Sequence, residues 1–422
     1  MPTPSFTRCA YILFTFLSLV LVAGFGLLSK AQEPKIDLVV HEWGTFTSVA
    51  GRAGTALEWR PLTTESDLPS FVYSIDRVSR PAPQLPQAAP SQPQVAPSPR
   101  SEPRQLRYPS KSATPVSVRM ETPVLYFYAK QEMTIRVKVD FVNGKITEWY
   151  PQSRSVQRGS IDWGQIRIMP GTQIDLPNDF RENHYYPARE TDAAPLQVSF
   201  DGQNEYEKFL FYRGVGNFDL PLSVKLDGDK VRIRNEYGEH PHRVMLFENR
   251  NGKIGFQIHD MRETELVVDR PALDGKVGVL RQQIKAMLVG QGLYEREANA
   301  MLDTWRDSWF EEGLRIFYIM PRIATDEILP LRIEPRPAQL VRVLVGRTEL
   351  ITPETEGRVI DEIRKLESPS MSIRKAALQA INKYGRFREP ILKQIFDHTN
   401  DPQLRASIER LLRESGSVRP SI

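Results

Sequence analysis

The sequence has almost no cysteine. Cys9 is the only cysteine among 422 residues, and it lies in an apolar segment near the amino terminus. The absence of cysteine after this position excludes disulfides, thiol nucleophiles and thiolate metal ligands from the rest of the chain. The folded part must therefore be stabilised by packed cores alone.

The sequence also has little excess charge. It contains 56 Lys and Arg residues against 52 Asp and Glu residues, a formal net charge of +4. Arg8 and Lys30 belong to the amino-terminal segment, so the remainder carries about +2. A dedicated nucleic-acid-binding protein usually has a strongly basic surface, and we therefore expect no nucleic-acid partner.

Strong catalytic signatures are missing as well. No serine lies in a Gly-x-Ser-x-Gly elbow, which argues against an α/β-hydrolase. The stretch from Arg213 to Asn217 has two glycines, but it lacks the strand–turn–helix context of a phosphate-binding loop. Motifs alone therefore leave open whether the protein is an enzyme.

The amino-terminal segment has the pattern of an export signal. Residues 10–28 read AYILFTFLSLVLVAGFGLL without a charge, Arg8 precedes them, and Ser29-Lys30-Ala31 follows. A charged start, an apolar run and a small-x-small exit predict a signal peptide over residues 1–31, and hence an exported, periplasmic or secreted bacterial protein. The alternative is an uncleaved anchor with the body facing outward, in which only residues 10–28 contact the membrane.

A proline-rich segment interrupts the chain at residues 79–115. It holds ten prolines in 37 positions and almost no large apolar residue. Proline removes backbone donors and this composition offers little surface to bury, so the segment is predicted to be a disordered insertion. The stretch 36–78 is short for a domain of its own, and we expect its strands to join the sheet that resumes near residue 116.

The body, residues 36–78 plus 116–350, is predicted to be mainly antiparallel β-structure resembling a sandwich. The prediction depends on three turn sequences between alternating apolar runs, which are Asn143-Gly144, Leu226-Asp227-Gly228-Asp229 and Asn251-Gly252. Such sequences adopt the positive φ angles of tight hairpins. Residues 279–310 change to helical spacing, so the sequence predicts a helical hairpin packed on the sheet. The fold class is α+β.

The carboxy-terminal segment that follows the body, residues 353–415, is predicted to be a small all-α domain. A shift of 31 residues superposes Arg374 on Arg405 and Ile381 on Leu412, and Asp401-Pro402 suits a helix start. On these residues the tail resembles a HEAT-type helical repeat pair. The resemblance implies a surface for a protein partner, although two repeats are fewer than a free-standing solenoid needs.

Three histidines form the candidate metal site. If Asn251-Gly252 is a two-residue turn, Val244 faces His259, and His242 and His240 lie on the same face at the open end of the hairpin. Three imidazoles with an open position are a known zinc arrangement, so zinc is the possible cofactor. The alternative is a solvated strand entry in which Pro241 marks an edge.

The candidate catalytic residues are His41, Glu42 and Glu148. Glu42 and Glu148 each precede a tryptophan, and carboxylates beside aromatic rings suit a carbohydrate ligand or glycosidic hydrolysis. The register of the Asn143-Gly144 turn places Glu148 opposite Val139, on the apolar side of its hairpin, where its pKa would be raised. The alternative is that the tryptophans pack in the core and the glutamates pair with arginines such as Arg60 or Arg154.

These patterns support two functional hypotheses of different classes. The first is an exported envelope or extracellular binding or scaffolding protein, because the chain has an export signal, a repeat-like tail and no strong catalytic motif. The second is an exported hydrolase that uses a three-histidine metal site or paired carboxylates, with a polysaccharide as the candidate substrate.

Overall fold

The computed structural model describes residues 37–61, 68–75, 115–238 and 241–417. The predicted signal peptide, the anchor alternative and nearly all of the proline-rich segment therefore lie outside the described residues. The described part is a mixed α+β protein with antiparallel sheets and carboxy-terminal helices, as predicted. Contacts group the chain from Leu38 onward into one unit, so the helical tail is docked on the β-rich body.

A nine-stranded sheet forms the centre of the body. Its strands are β1 (Leu38–Ala50), β2 (Tyr73–Ser74), β3 (Val118–Ala129), β5 (Gly144–Tyr150), β10 (Leu210–Gly216), β13 (Arg243–Arg250), β14 (Lys253–Asp260), β16 (Gly313–Ile319) and β18 (Gln339–Leu350). They are arranged in the order β14-β13-β16-β18-β1-β3-β10-β5-β2. All neighbours are antiparallel except β1 and β18, which are parallel. Strand β1 is central and buried almost throughout, which explains its near-continuous run of Val, Trp, Phe and Thr.

Two smaller sheets complete the β-structure. One contains β4 (Met133–Asp140), β6 (Ser155–Gln157), β7 (Ser160–Ile168), β8 (Leu196–Phe200), β9 (Gln203–Glu207) and β17 (Leu331–Glu334), and the other contains β11 (Leu222–Asp227), β12 (Lys230–Asn235) and β15 (Glu265–Asp269). The six-stranded sheet packs on one face of the large sheet, where the rings of Trp163 and Tyr212 meet edge to face at 6.1 Å. This layering confirms the sandwich-like body.

Two of the three predicted hairpins are present. Strands β13 and β14 pair with Arg250 opposite Lys253 and Val244 opposite His259, the register that the Asn251-Gly252 turn predicts. Asn251 and Gly252 have φ angles of 54° and 78°, as a tight turn of this type requires. Strands β11 and β12 also form a hairpin, in which Asp227 pairs with Lys230 and the turn residues are Gly228 and Asp229.

The hairpin prediction at Asn143-Gly144 was wrong. Strand β4 pairs with β7 and β17, whereas β5 pairs with β10 and β2, so the chain crosses from one sheet to the other at this turn. Asn143 has a φ of 58°, but Gly144 is not in the left-handed region. The backbone N–H groups of Asp140, Phe141 and Val142 donate to the carbonyls of Pro330, Gly159 and Ile328, so partners elsewhere in the chain occupy the edge that a hairpin with β5 would need.

The described helices are α1 (Val277–Gly290), α2 (Glu295–Thr304), α3 (Arg322–Ile328), α4 (Pro353–Lys365), α5 (Met371–Asn382), α6 (Arg388–His398) and α7 (Pro402–Ser417). Helices α1 and α2 are the predicted helical hairpin. They cover one face of the large sheet, and the six-stranded sheet packs on the other face. Their apolar side chains share one core with Trp43, Phe317 and Val345. Burial of one helix stripe against a sheet face is what the helical spacing of apolar residues predicts.

The helical tail consists of α4 to α7 and has an apolar core of its own. Asp401 caps α7 by accepting hydrogen bonds from the backbone N–H groups of Gln403 and Leu404, as its position before Pro402 predicts. The guanidinium of Arg374 donates to the carbonyls of Ser368 and Pro369, and that of Arg405 donates to carbonyls at the end of α6. The two superposed arginines thus make equivalent contacts, although the resemblance to a HEAT-type pair stays a prediction.

Within the described ranges, no helix combines the length and the apolar character needed to cross a membrane.

Candidate functional site

Bulges interrupt four adjacent strands at the centre of the large sheet. The register between β1 and β3 shifts between Trp43 and Thr45, and the registers of β10 with β3 and with β5 shift next to Gly214. At Gly44 an added Cβ would lie 3.0 Å from the Cα of Pro123, so glycine permits this close approach. Bulges re-aim side chains, and aligned bulges in a central sheet mark the place to look for a site.

Thr122 lies in this row of bulges with a φ of 50°. A β-branched residue in the left-handed region is a genuine outlier, since its Cβ substituents crowd the backbone. Thr122 is fully buried between Glu121 and Pro123, and the surrounding strands hold it in place. Strain of this kind is retained where neighbouring structure determines the conformation, and here it turns Glu121 towards the helical tail.

His41 is bonded to the helical hairpin. Its Nδ1 lies 2.7 Å from a carboxylate oxygen of Glu297 on α2, and the other oxygen of Glu297 accepts the Tyr128 hydroxyl at 2.7 Å. Because a carboxylate only accepts, His41 Nδ1 carries the proton. The rings of Tyr128 and Tyr294 cover the imidazole, and Nε2 has no hydrogen-bond partner among the described residues. This contact ties α2 to the centre of the sheet.

Glu42 points to the opposite face of the same strand. Its carboxylate accepts hydrogen bonds from the Tyr212 hydroxyl and from Arg342, each at 2.5 Å. Arg342 also donates to Asp326 on α3 at 2.7 Å. All of Glu42 is buried, so the arginine balances its charge, as a buried carboxylate requires. The predicted arginine partner is therefore present, but it is neither Arg60 nor Arg154.

Six charges, of which Arg386 and Glu311 are partly exposed and the other four are buried, form a continuous chain between the sheet and the tail. Carboxylates and guanidiniums alternate along it at distances of 2.6 to 3.2 Å, in the order Glu121, Arg386, Glu311, Arg347, Glu349, Arg315. Of these residues only Arg386 belongs to the tail. We call this set the charge chain. Its charges cancel, so each residue depends on its neighbours for compensation.

The charge chain shifts the acidity of its carboxyl groups. Burial raises the pKa of Glu121, but the guanidiniums of Arg386, Arg119, Arg347 and Arg213 outweigh burial and hold that pKa below its usual range. The pKa of Glu311 is also lowered, because Arg386 and Arg347 outweigh its burial. Both carboxylates are therefore ionised at neutral pH and act as charge partners rather than as proton donors.

Further contacts dock the tail beside the charge chain. Trp59 stacks on Phe387 with ring centroids 5.8 Å apart, and Arg60 contacts Glu389 on α6 at 3.1 Å. A cleft of about 410 Å³ opens at this junction and is lined by both partners, including Glu311 of the body and Tyr384 of the tail. Clefts between packed units are common ligand sites.

Glu148 lies in the row of bulges but not in the environment that the sequence predicted. Its partners across the sheet are Arg213 and Ser74 rather than Val139, and it accepts a hydrogen bond from the Thr147 hydroxyl. The error follows from the wrong hairpin, because a changed strand partner changes every facing residue. Trp43, Trp59 and Trp149 are all buried, as the structural alternative for the Glu-Trp pairs requires.

The structure does not assemble the predicted metal site from the residues it describes. His240 lies outside them, while His242 and His259 are at the predicted end of the β13–β14 hairpin. His259 Nε2 is 3.0 Å from the Gln257 side-chain oxygen, and burial lowers the pKa of His259. Among the described residues no group of three or more His, Cys, Asp or Glu side chains is arranged to hold a metal ion.

Sequence reasoning found His41 and Glu42 but missed their partners. Glu297, Arg342 and Tyr212 lie on elements far away in the chain, and no local pattern marks them. The charge chain was missed for the same reason. One signal was available, since Arg315 and Arg347 occupy inward positions of strands that otherwise read as apolar runs.

Comparison with known proteins does not identify a family for this chain. No family model matches the chain, and no curated protein matches it. One solved structure that it resembles weakly is the Fcho1 Mu homology domain of Danio rerio with bound Eps15 peptide, at 6% identity and a TM-score of 0.26. That alignment covers 76% of this chain and 99% of the other. At this level the likeness carries no argument about fold or function.

Proposed function

We propose that the protein is an exported binding or scaffolding protein whose helical tail presents a contact surface to a protein partner. Export is supported by the apolar run at residues 10–28 and the small-x-small exit that follows it. The tail is supported by its own core and by the charge chain that holds it against the body. A docked tail keeps a fixed orientation, which a recognition surface needs.

The observation that carries the proposal is a pair of exposed apolar side chains, Met371 and Leu378, on one side of α5. Met371, Ile373 and Leu378 are 74%, 45% and 36% exposed. Met371 and Leu378 are seven residues apart, so they project from one side of the helix two turns apart. Exposed large apolar residues grouped on one short helix mark an interaction surface more often than an accident of composition.

The residues suggested for catalysis are better explained by the fold. His41, Glu42 and Glu148 are buried, and each is bonded to a neighbouring side chain of the body. These bonds join the sheet to α2, to α3 and to adjacent strands. No contact in the described residues specifically favours the hydrolase hypothesis, which stays a prediction.

Site-specific photo-cross-linking in the producing cells tests the proposal. A cross-linking amino acid at Leu378 of the full chain is expected to capture one defined protein, and the additional change Met371→Glu should abolish that product. The matched control places the cross-linker at Val267, which is 43% exposed on the three-stranded sheet. Equal products from both positions, or none from Leu378, would contradict a partner on the tail.

A further inference from the structure

A cavity outside the sites described above lies at one end of the large sheet. It has a volume of about 360 Å³ and is formed by the start of β13, the end of β16 and the carboxy-terminal turn of α1. Small-molecule sites range from about 300 to 1,000 Å³, so a compact ligand fits. None of the described residues that line the cavity is acidic.

The lining separates into an apolar part and a basic part. Met287, Ile319 and Met320 supply apolar surface, and Met320 is buried while the other two pack partly against the main core. Arg243 and Arg322 contribute the charged part, with side chains 60% and 44% exposed. The guanidiniums therefore face the solvent at the mouth of the cavity.

The two arginines keep donors available. Arg243 contacts Asp260 through Nε at 3.2 Å, and both of its Nη atoms are without a hydrogen bond to a described residue. Arg322 uses Nε for Asp326 and Nη1 for the carbonyl of Leu340, which leaves Nη2. Guanidinium N–H groups at adjacent positions match the oxygens of a carboxylate or phosphate.

The neighbouring carboxylates do not neutralise this mouth. Asp260 is shared by Arg243 and a second arginine, Arg262, at 3.2 and 3.3 Å. Asp326 contacts Arg322 and Arg342, each at 2.7 Å, and because Arg342 is also paired with Glu42, Asp326 balances the charge of Arg322, so the excess positive charge lies at Arg243. The end of α1 adds about half a negative charge, less than one guanidinium contributes. The imidazole of His242, which lines the same cavity, makes no hydrogen bond to a described residue.

We propose that this cavity binds a small anionic amphiphile, with its apolar chain against Met287, Ile319 and Met320 and its carboxylate or phosphate head at Arg243 and Arg322. The charge of the mouth and the apolar inner surface are complementary to the two parts of such a ligand. The proposal is independent of the tail and adds a small-molecule site to the body.

Calorimetric titration of the full chain with decanoate, below its micelle concentration, tests the site. Saturable binding is expected, whereas acetate, which lacks the chain, and decanol, which lacks the charge, should bind at least about tenfold more weakly. Decyl phosphate is titrated alongside, and the tighter of the two heads identifies the source of the anion. Absence of saturable binding by both anions would overturn the proposal.

Variants separate this site from non-specific uptake of amphiphiles. R243Q and R322Q should each weaken decanoate binding about tenfold, the loss expected for one charge-assisted contact. A286F should abolish binding, because Ala286 lines the cavity and a ring there fills it. The matched control is R234Q, which removes an exposed arginine of the three-stranded sheet that does not line the cavity. Equal affinity in all four variants would overturn the proposal, and urea midpoints establish that each variant is folded.

Discussion

The two halves of one face of the large sheet are covered by contacts of different chemistry. At one end, α1 and α2 cover the face mainly through apolar side chains such as Leu280, Ile284 and Met301, with the Glu297–His41 contact among them. At the other end the tail covers the same face, and the contacts are the ion pairs of the charge chain. Along β18 the change occurs between Val345 and Arg347, two positions apart on one side of the strand.

The apolar contacts mainly stabilise the packing of the helical hairpin, whereas the ion pairs mainly determine the orientation of the tail. Apolar contacts are non-directional, so the helical hairpin gains most of its stability from area alone. A buried ion pair contributes little net stability over an apolar pair, but it is costly to break and is satisfied in only one geometry. The ion pairs of the charge chain thus determine the orientation of the tail on the body. A fixed orientation agrees with the proposal that the tail presents a contact surface.

Removal of one charge from the charge chain should have the largest effect. Arg347→Leu leaves Glu349 with Arg315 as its remaining partner in the charge chain and leaves Glu311 with Arg386. Because these carboxylates lose a compensating charge, the free energy of unfolding should fall by about 3–5 kcal/mol. Urea unfolding of the full chain measures it. Adding Glu311→Gln should recover part of the loss, because Arg386 then remains balanced by Glu121. Recovery by Glu311→Gln would not occur if Arg347 acted only through packing.

Trp309→Ala provides the apolar side of the comparison. Trp309 is fully buried, and truncation of such a side chain costs about 3–5 kcal/mol. No change of a nearby carboxylate should recover this loss.

The pH dependence of stability should differ in sign between the two sides. The lowered pKa of Glu121 contributes stability above the unfolded value near ~4.3, and this is lost as pH falls through the folded pKa. Burial raises the pKa of Glu207, which accepts a hydrogen bond from Tyr185 in the apolar core of the helical hairpin, so its contribution is present at low pH and is lost as pH rises through the folded value.

Two glutamine variants measure these contributions. Between pH 7 and about 3.5, Glu121→Gln should lose less stability than the original chain, and Glu207→Gln should lose more, by about 1.4 kcal/mol for each unit of pKa shift. Urea midpoints at both pH values provide the measurement. Shifts of the same sign in both variants would show that the two sides do not differ electrostatically.

Removal of an exposed ion pair should have the smallest effect on the free energy of unfolding, and it tests whether burial is what makes the charge chain costly to break. The side chains of Arg410 and Glu367 in the tail are 52% and 64% exposed, and those of Lys230 and Asp269 in the body are 57% and 74% exposed. Arg410→Ala and Lys230→Ala should each change the free energy of unfolding by less than about 0.5 kcal/mol. A larger loss for Arg410→Ala alone would mean that charge, and not burial, distinguishes the tail.

Local patterns were sufficient for much of the fold. The helical spacing of Leu280, Ile284 and Leu288 predicted α1, and Asn251-Gly252 predicted the β13–β14 register residue by residue. The same reasoning failed at Asn143-Gly144, because the sequence of a turn does not show that β4 pairs with β7 and β17, which come later in the chain. That failure carried over to Glu148, whose predicted apolar neighbour was Val139.

Periodicity and turn residues act over a few positions, so local patterns predict the helices and strands and which of their faces are buried. The tertiary structure alone decided which elements meet: the parallel pairing of β1 with β18, the contact of His41 with Glu297, and the contact of Glu121 with Arg386. Glu121 and Arg386 are separated by 265 positions, and Arg and Glu are abundant enough that many other pairings satisfy the same composition. Burial selects among them, because only a compensated charge is tolerated away from water.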